Sequence, residues 1–500
     1  MRLFRSIKEL PPVTLYLLLS MLITTVFLFF TLPMGPAITP DSVAYREVAL
    51  NIMHGHGPVN HQGQLVNHWP PLYPAVLALC ALLSGLPLES AALLLQSTLL
   101  VLYLLLLFRI SGQCQLSPMH RILLIAVACL LPGMFNFSRL MSEGLFNTLL
   151  LALVSLGLDY RYKPRPLLMG ITAGLLFLTR YAGMAFVAGG GLFILLTEVP
   201  DWRQLLRRLV LFGFGPAMAV GGWMLTERLL HAGHFNRVLI FHPIPPHKWI
   251  GLSEQINAQM FPPLQGMFPY SGLALLGAFL LISGYWMLSR RGSDLGWQFA
   301  FVWISVCAFL LLLFITCFYL DAHTPMDARI WSPVAPLLLL MVFVMLRETG
   351  GFLQSAFPLF LLMFNVLPAY ALWNKFRSNG EGLSAREWKE SPVLQAAAAS
   401  VQSGKKVYSN GADVLNYYWN ADGRFRVYAM PLKYFPTSGT PNASHERAFG
   451  TMLSEIKRNQ AVLVYFHNIR WRKFLEDSAG LANRLRGKNP ESYRDGLILR

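Results

Sequence analysis

A handful of charged side chains stand at the ends of long apolar blocks, and these are the residues that could do chemistry: Asp41, Glu143, Arg180, and Asp327 with Arg329. A charge near membrane depth costs roughly 2.5–3.5 kcal/mol on insertion scales, so each one calls for a reason. Carboxylates can take a proton, and planar guanidiniums match the oxygens of a phosphate. Together they would suit a group transfer in which a hydroxyl loses its proton and an anion leaves.

Each residue also has a purely structural role open to it. In Pro40-Asp41-Ser42, Asp41 reads either as a base or as a helix cap that accepts backbone N–H bonds. Glu143, in Ser142-Glu143-Gly144, either joins a site or complements the N-terminus of the following helix. Arg180 either binds an anion or snorkels to headgroups, and Asp327 with Arg329 could be a local pair at the surface. Glu47 and Arg139 lie in the same loops as Asp41 and Glu143. The histidines His54, His56, His61 and His68 have no diagnostic ligand spacing; a divalent metal stays open as a cofactor, with no ligands assigned.

The elements that would position these groups are helices in lipid. Of 500 residues, 54% are hydrophobic and only 13% charged, and the mean hydropathy is +0.46. The apolar residues come in blocks suited to a hydrocarbon core, where an open backbone cannot be hydrogen-bonded and helices are forced. The blocks run near 13–32, 91–108, 122–135, 145–158, 167–178, 184–196, 209–225, 273–288, 299–318, 334–346 and 352–373, predicting about eleven spans. The first follows Arg2, Arg5 and Lys8 and has no small-residue cleavage site before the acidic loop, so it reads as an uncleaved span. Residues 72–83, behind Trp69-Pro70-Pro71, are too short to span and read as an interfacial or re-entrant helix.

The net charge of +16 is better explained by cytoplasmic loops than by a nucleic-acid partner. With 72–83 excluded, Arg109 and Arg121, Arg161 to Arg165, Arg203 to Arg208, and Arg290 with Arg291 all fall on one side. That reading puts the N-terminus in the cytoplasm and the opposite loops outside: 40–69, 138–144, 231–270 and 321–332. The tail from Asn374 is expected outside as well. Its β-like runs at 406–409, 425–428, 461–466 and 496–500 alternate with helix-like stretches at 412–418, 445–457 and 471–485, as in a small α/β domain. The chain therefore divides into a membrane domain, 1–373, and an extracytoplasmic α/β domain, 374–500. Five cysteines without CxxC spacing predict neither a disulfide framework nor a thiolate metal site. Asn442-Ala443-Ser444 matches a glycosylation sequon, a pattern common by chance. The segment from His242 to Trp249, with Lys248, reads equally as an interfacial belt and as a substrate lid.

In order and spacing these pieces resemble the GT-C superfamily of membrane glycosyltransferases, close in plan to protein O-mannosyltransferases and lipid A aminoarabinose transferases. The carriers are Pro40-Asp41-Ser42 with Tyr45, Gly55 to Gly57, Trp69-Pro70-Pro71-Leu72-Tyr73-Pro74, Ser142-Glu143-Gly144-Leu145-Phe146, Phe177 to Gly183, and Arg329-Ile330-Trp331-Ser332-Pro333. The likeness covers the chain as far as about Trp373 and is silent on the tail. It implies a polyprenyl-phosphate-linked sugar as donor, Asp41 as general base and Glu143 as an assisting acid. The family's first loop often has a second acid directly after the first; here that place is Ser42, so Asp41 would act alone. Arg180, Arg329, Tyr45, Tyr181 and Lys248 make up the expected substrate- and phosphate-binding set.

An inverting transfer needs one carboxylate, since the departing lipid phosphate is already a stabilised anion. Membrane lipids are expected partners and nucleic acid is not; the sugar and the acceptor are not specified. The expected location is the inner membrane of a bacterial cell envelope. A secondary transporter or flippase is the alternative, against which stand the lack of paired half-repeats and the placing of the acids in outer loops. A non-catalytic sensor or assembly factor is a third reading.

Overall fold

The structure is a computed structural model and describes residues 12–197, 201–230, 240–290, 292–320, 324, 326–349, 351–436, 439–485 and 489–500. The basic segment with Arg2, Arg5 and Lys8, the start of the loop at His231, Arg291 and Asp321 lie outside the described residues.

Helices occupy every predicted apolar block. They are α1 (Pro12–Thr31), α2 (Pro40–Met53), α3 (Leu72–Ser84), α4 (Leu88–Gln113), α5 (Pro118–Leu130), α6 (Glu143–Leu158), α7 (Pro166–Thr179), α8 (Met184–Leu196) and α9 (Trp202–Leu229). There follow α10 (Pro246–Met260), α11 (Ser271–Ser289), α12 (Asp294–Ile315), α13 (Ala328–Trp331), α14 (Ala335–Thr349) and α15 (Gly351–Asn379). Among the described residues six helices are long and apolar enough to cross a membrane, and α5 with the 3₁₀ turn after it, bent by 69°, makes a seventh candidate. Of the remaining apolar helices, α3, α6, α7, α8 and α14 are shorter, so six or seven candidate spans stand where the blocks predict about eleven. Composition marked those short blocks as apolar without revealing that Pro and tight turns cut them below a full span.

Close packing replaces the hydrophobic effect as the force between helices in lipid. The clearest instance is α7 against α9, where Gly170 faces Phe212 and Gly215. A Cβ at Gly170 would lie 2.0 Å from the Phe212 carbonyl oxygen, and one at Gly215 only 2.3 Å from the Gly170 backbone. This backbone-to-backbone seam fixes α7, whose far end carries Arg180.

Charges separate to the two ends of the bundle. At one end Arg109 pairs with Asp159 (3.1 Å), Arg161 with Asp294 (3.3 Å) and Arg290 with Glu348 (3.3 Å). The same helices α4, α6 and α12 carry Glu89, Glu143 and the residues around Thr316 towards the other end. The loops read as cytoplasmic thus gather together, away from the candidate acids.

Helix α15 continues past Asn374, the predicted start of the tail, to Asn379, because Lys375 and Arg377 extend its solvated last turn and no breaker intervenes before Gly380. Beyond it come α16 (Arg386–Lys389), α17 (Pro392–Gln402), β1 (Lys406–Ser409), α18 (Ala412–Trp419), β2 (Val427–Ala429), α19 (His445–Lys457), β3 (Ala461–Phe466), α20 (Ser478–Arg484), β4 (Glu491–Tyr493) and β5 (Gly496–Leu499). The sheet order is β2-β1-β3-β5-β4, with β2, β1 and β3 parallel and β5 and β4 antiparallel. Every residue of β3 is buried, as a central strand requires. The helix expected over 471–485 begins only at Ser478, because Asp477 caps it by accepting from the Gly480 N–H, 2.7 Å.

A small ladder ties the tail to the bundle. Ala37 bridges Arg139 and Ile38 bridges Gly382. Arg139 grips Glu381 with two bonds, 2.6 and 3.2 Å, so the loops on either side of the first and second acids and the connection into the tail form one unit.

Candidate functional site

Helix α2 presents Asp41 without using it as a cap. Thr39 is the N-cap: its hydroxyl accepts from the Ser42 N–H (3.2 Å), while the Ser42 hydroxyl accepts from the Thr39 N–H (2.9 Å). Pro40 fills the first helical position, where a missing N–H costs nothing. The capping role open to Asp41 from sequence therefore falls to its neighbours. Burial pushes its carboxyl above the usual carboxylate range, against the opposing pull of Arg329.

Glu143 opens α6 and is almost fully buried, 2% exposed. Its Oε1 lies 2.6 Å from the Arg180 guanidinium, yet among the described residues neither carboxylate oxygen accepts a well-formed hydrogen bond. Arg180 follows the last turn of α7 and leads into the turn Tyr181–Gly183. That turn is tight enough that a Cβ at Gly183 would meet the Leu176 backbone at 2.3 Å. Arg180 also donates to the Ser142 hydroxyl (3.2 Å), which in turn meets the Tyr45 hydroxyl at 3.1 Å. Gln96 holds the same loop from behind by donating to the carbonyls of Arg139 (3.0 Å) and Met141 (2.7 Å).

Arg329 is set by Asp327, which divides its two oxygens. Oδ1 caps α13 by accepting from the N–H groups of Arg329 (3.0 Å) and Ile330 (3.3 Å), and Oδ2 holds the Arg329 Nε at 2.9 Å. The other side of the guanidinium faces Asp41 at 3.6 Å. The local pair allowed by sequence is real, and it aims Arg329 at Asp41.

Asp41, Arg180, Tyr181 and Arg329 line one cavity of about 280 Å³. The lining combines these charged groups with apolar side chains, Phe309, Leu312 and Leu313 from one face of α12 and Leu320 beyond it. Thr316 and Leu320 belong to a π-helical turn that ends α12, an irregularity often found at functional sites. His68, Trp69 and Pro70 also line it.

The remaining predicted residues stand behind or beside this cavity. Glu143 sits behind Arg180. Tyr45 is 2% exposed and stands behind the lining, where it meets the Ser142 hydroxyl and packs its ring on the lining residue Trp69, centroids 5.2 Å apart. Lys248, near the start of α10, donates to the carbonyl of the lining residue Thr324 at 3.3 Å, while Trp249 packs on Phe314 and Phe318. The segment that sequence left between belt and lid thus rests on the end of α12 that walls the cavity. Glu47 is drawn into loop structure, accepting from the His61 N–H at 2.5 Å, and Arg139 is taken by Glu381. Sequence reading missed the α12 face formed by 309, 312, 313, 316 and 320. Its helical spacing was present, but it was hidden in a uniformly apolar block.

A metal ion fits poorly here. Asp41, Glu143 and Asp327 each face a guanidinium, which supplies the positive charge a cation would bring, and among the described residues no three His, Cys, Asp or Glu side chains form a metal-holding group.

No protein-family model matches the sequence, and no curated protein sequence does. Solved structures do match. The oligosaccharyltransferase of Archaeoglobus fulgidus, in complex with zinc and sulfate, superposes with TM-score 0.54 at 13% identity, over 91% of this chain and 68% of its own. ArnT from Cupriavidus metallidurans, bound to undecaprenyl phosphate, gives 0.52 at 14% identity, over 97% of both chains. The mycobacterial arabinofuranosyltransferase AftD gives 0.51 at 13% identity, over 97% of this chain but only 41% of that one. The protein is an integral membrane protein with the fold of the GT-C membrane glycosyltransferases.

Proposed function

We propose that this protein is a glycosyltransferase that moves a sugar from a polyprenyl-phosphate donor to a hydroxyl acceptor at the outer face of the membrane. The observation that carries the reading is the shared cavity: its lining holds a carboxylate and two guanidiniums together with apolar side chains of α12 suited to the first isoprene units of a lipid. A like-folded structure with undecaprenyl phosphate bound adds weight to that choice of donor.

Asp41 takes the proton of the acceptor hydroxyl as its oxygen attacks the anomeric carbon. The bond from that carbon to the phosphate oxygen breaks, and the electron pair leaves with the lipid phosphate, so the configuration inverts. Arg180 and Arg329 stabilise the charge that develops on the leaving group, from positions already fixed by their carboxylate partners. Glu143 keeps Arg180 charged and oriented, Asp327 does the same for Arg329, and Tyr45 fixes Ser142 between them. The domain boundary belongs after Asn379, where α15 ends, with the C-terminal sheet domain on the outer side.

Purified protein incubated with radiolabelled polyprenyl-phosphate sugars and lipid, glycan or protein acceptors should release lipid phosphate in step with the labelled product, and the product should have inverted configuration. Transport of the intact labelled donor across proteoliposomes without product would refute the reading.

A further inference from the structure

The C-terminal sheet holds a second cleft, remote in sequence from the membrane cavity and unused by the reaction above. The chain runs from β1 outward to β2, then returns across to β3 on the other side of β1. In open α/β sheets such a reversal of direction leaves a crevice at the carboxyl ends of the two central strands, and ligands bind there. Here β1 ends at Ser409 and β3 at Phe466, and a cavity of about 690 Å³ opens beside Asn410 and His467, the residues that follow them. That is within the range of roughly 300–1,000 Å³ found for small-molecule clefts.

The cleft is built. Asn410, 2% exposed, pairs its side-chain amide with both the N–H and the carbonyl of Phe466, each at 2.8 Å, and so locks the two strand ends together. Arg472 is held against the cleft by Asp413 (2.8 Å) and by donation to the Asn410 carbonyl (2.6 Å). Lys433 is taken by Glu476 at 3.4 Å, an acid already met by His445 (3.3 Å) and Arg484 (3.7 Å). The side chains of Arg470 and Lys473 line the same cleft with no partner among the described residues. Of the two acids in the lining, Glu476 is already balanced and Asp477 caps α20 by accepting from the Gly480 N–H, so the cleft's cations, Lys433, Arg470, Arg472 and Lys473, outnumber its acids, and the exposed Arg470 and Lys473 are the ones left over. Tyr434, exposed and part of the lining, adds an aromatic ring of the kind that stacks on a sugar.

We infer that this cleft binds an anionic saccharide, its phosphate or carboxylate held by Arg470 and Lys473 with Arg472 behind them and its ring against Tyr434. The site is independent of the transfer reading and stands if that reading fails.

The test uses the full chain in detergent, with glucose 6-phosphate as probe and glucose as its neutral control, read by saturation-transfer NMR. Glucose 6-phosphate should bind at least tenfold more tightly than glucose. Arg470→Gln with Lys473→Gln should weaken it tenfold or more; both side chains lie at the surface, so the fold is kept, and an unchanged thermal transition verifies this. Arg329→Gln, in the membrane cavity, should leave binding within twofold of the parent. Equal binding of the two sugars, undiminished binding in the double variant, or loss in Arg329→Gln instead would each overturn the assignment.

Discussion

Arg180→Gln should destabilise the protein severely, and Glu143→Gln should rescue it. Glu143 is 3% exposed in its side chain and its only ionic partner among the described residues is Arg180, at 2.6 Å. Removing one member of a buried ion pair leaves an uncompensated charge, at a cost of about 3–5 kcal/mol. Arg180 keeps 23% of its side chain exposed, which lets water relieve part of this and puts the expected loss at about 3 kcal/mol. With Glu143→Gln added there is no charge left to strand, and the double variant should lie about 1 kcal/mol below the parent. The pair then couples by roughly 2 kcal/mol plus the cost of Glu143→Gln alone, well above the 0.3–0.5 kcal/mol scatter of independent sites. Denaturant unfolding in mixed micelles, followed by tryptophan fluorescence, measures all four corners of the cycle. Additive losses would refute the view that Glu143 serves to hold Arg180. Donor binding separates stability from function: the rescued double variant should still bind polyprenyl phosphate poorly, because the guanidinium is gone.

The pH dependence follows from Asp41. Burial raises its carboxyl above the ordinary value and Arg329 lowers it, so the acidic limb of the rate profile should lie above the ordinary carboxylate range, and Arg329→Gln should move it to still higher pH. The sign for stability is opposite to that for activity: a carboxyl raised in the folded state stabilises below its unfolded value, and that contribution is lost as pH rises through the folded value. Asp41→Asn should therefore raise the unfolding midpoint at neutral pH while lowering activity. Arg139→Glu should loosen the join to the tail by about 1 kcal/mol, given that Glu381 is partly exposed; Glu381→Arg in the same chain should restore resistance to limited proteolysis near Gly380. Gly215→Leu should cost about 1–3 kcal/mol by forcing α7 and α9 apart, seen as a lower thermal midpoint with the site chemistry untouched.

Much of this architecture was legible because lipid permits so few solutions. Apolar blocks had to be helices, and the clustering of Arg and Lys in alternate loops separated the two ends of the bundle before any contact was known. Asp41, Arg180, Tyr181 and Arg329 could be picked out because a charge or a lone polar group beside a span stands out. Sequence leaves the cap of α2 open between neighbours: Pro40 at the first helical position points to Thr39, the cap in the structure, while Asp41 is at least as good a capping type. Contacts between distant loops left no local trace. Arg139 and Glu381 are far apart in sequence, and neither segment alone indicates the other. The apolar cavity wall on α12 was invisible for the reverse reason, since every face of that helix is apolar and no period distinguishes the one that turns inward. In the tail, β4 escaped notice because Glu491-Ser492-Tyr493 is a short, mostly exposed edge strand with no apolar alternation.

The most direct test compares sugar transfer by the parent with that by Asp41→Asn, with binding of polyprenyl phosphate measured on the same preparations. A positioned general base contributes about 10²–10⁴-fold, so transfer should fall at least a hundredfold while lipid-phosphate binding, which rests on Arg180 and Arg329, stays within a few-fold. Transfer that persists undiminished in Asp41→Asn would contradict the account.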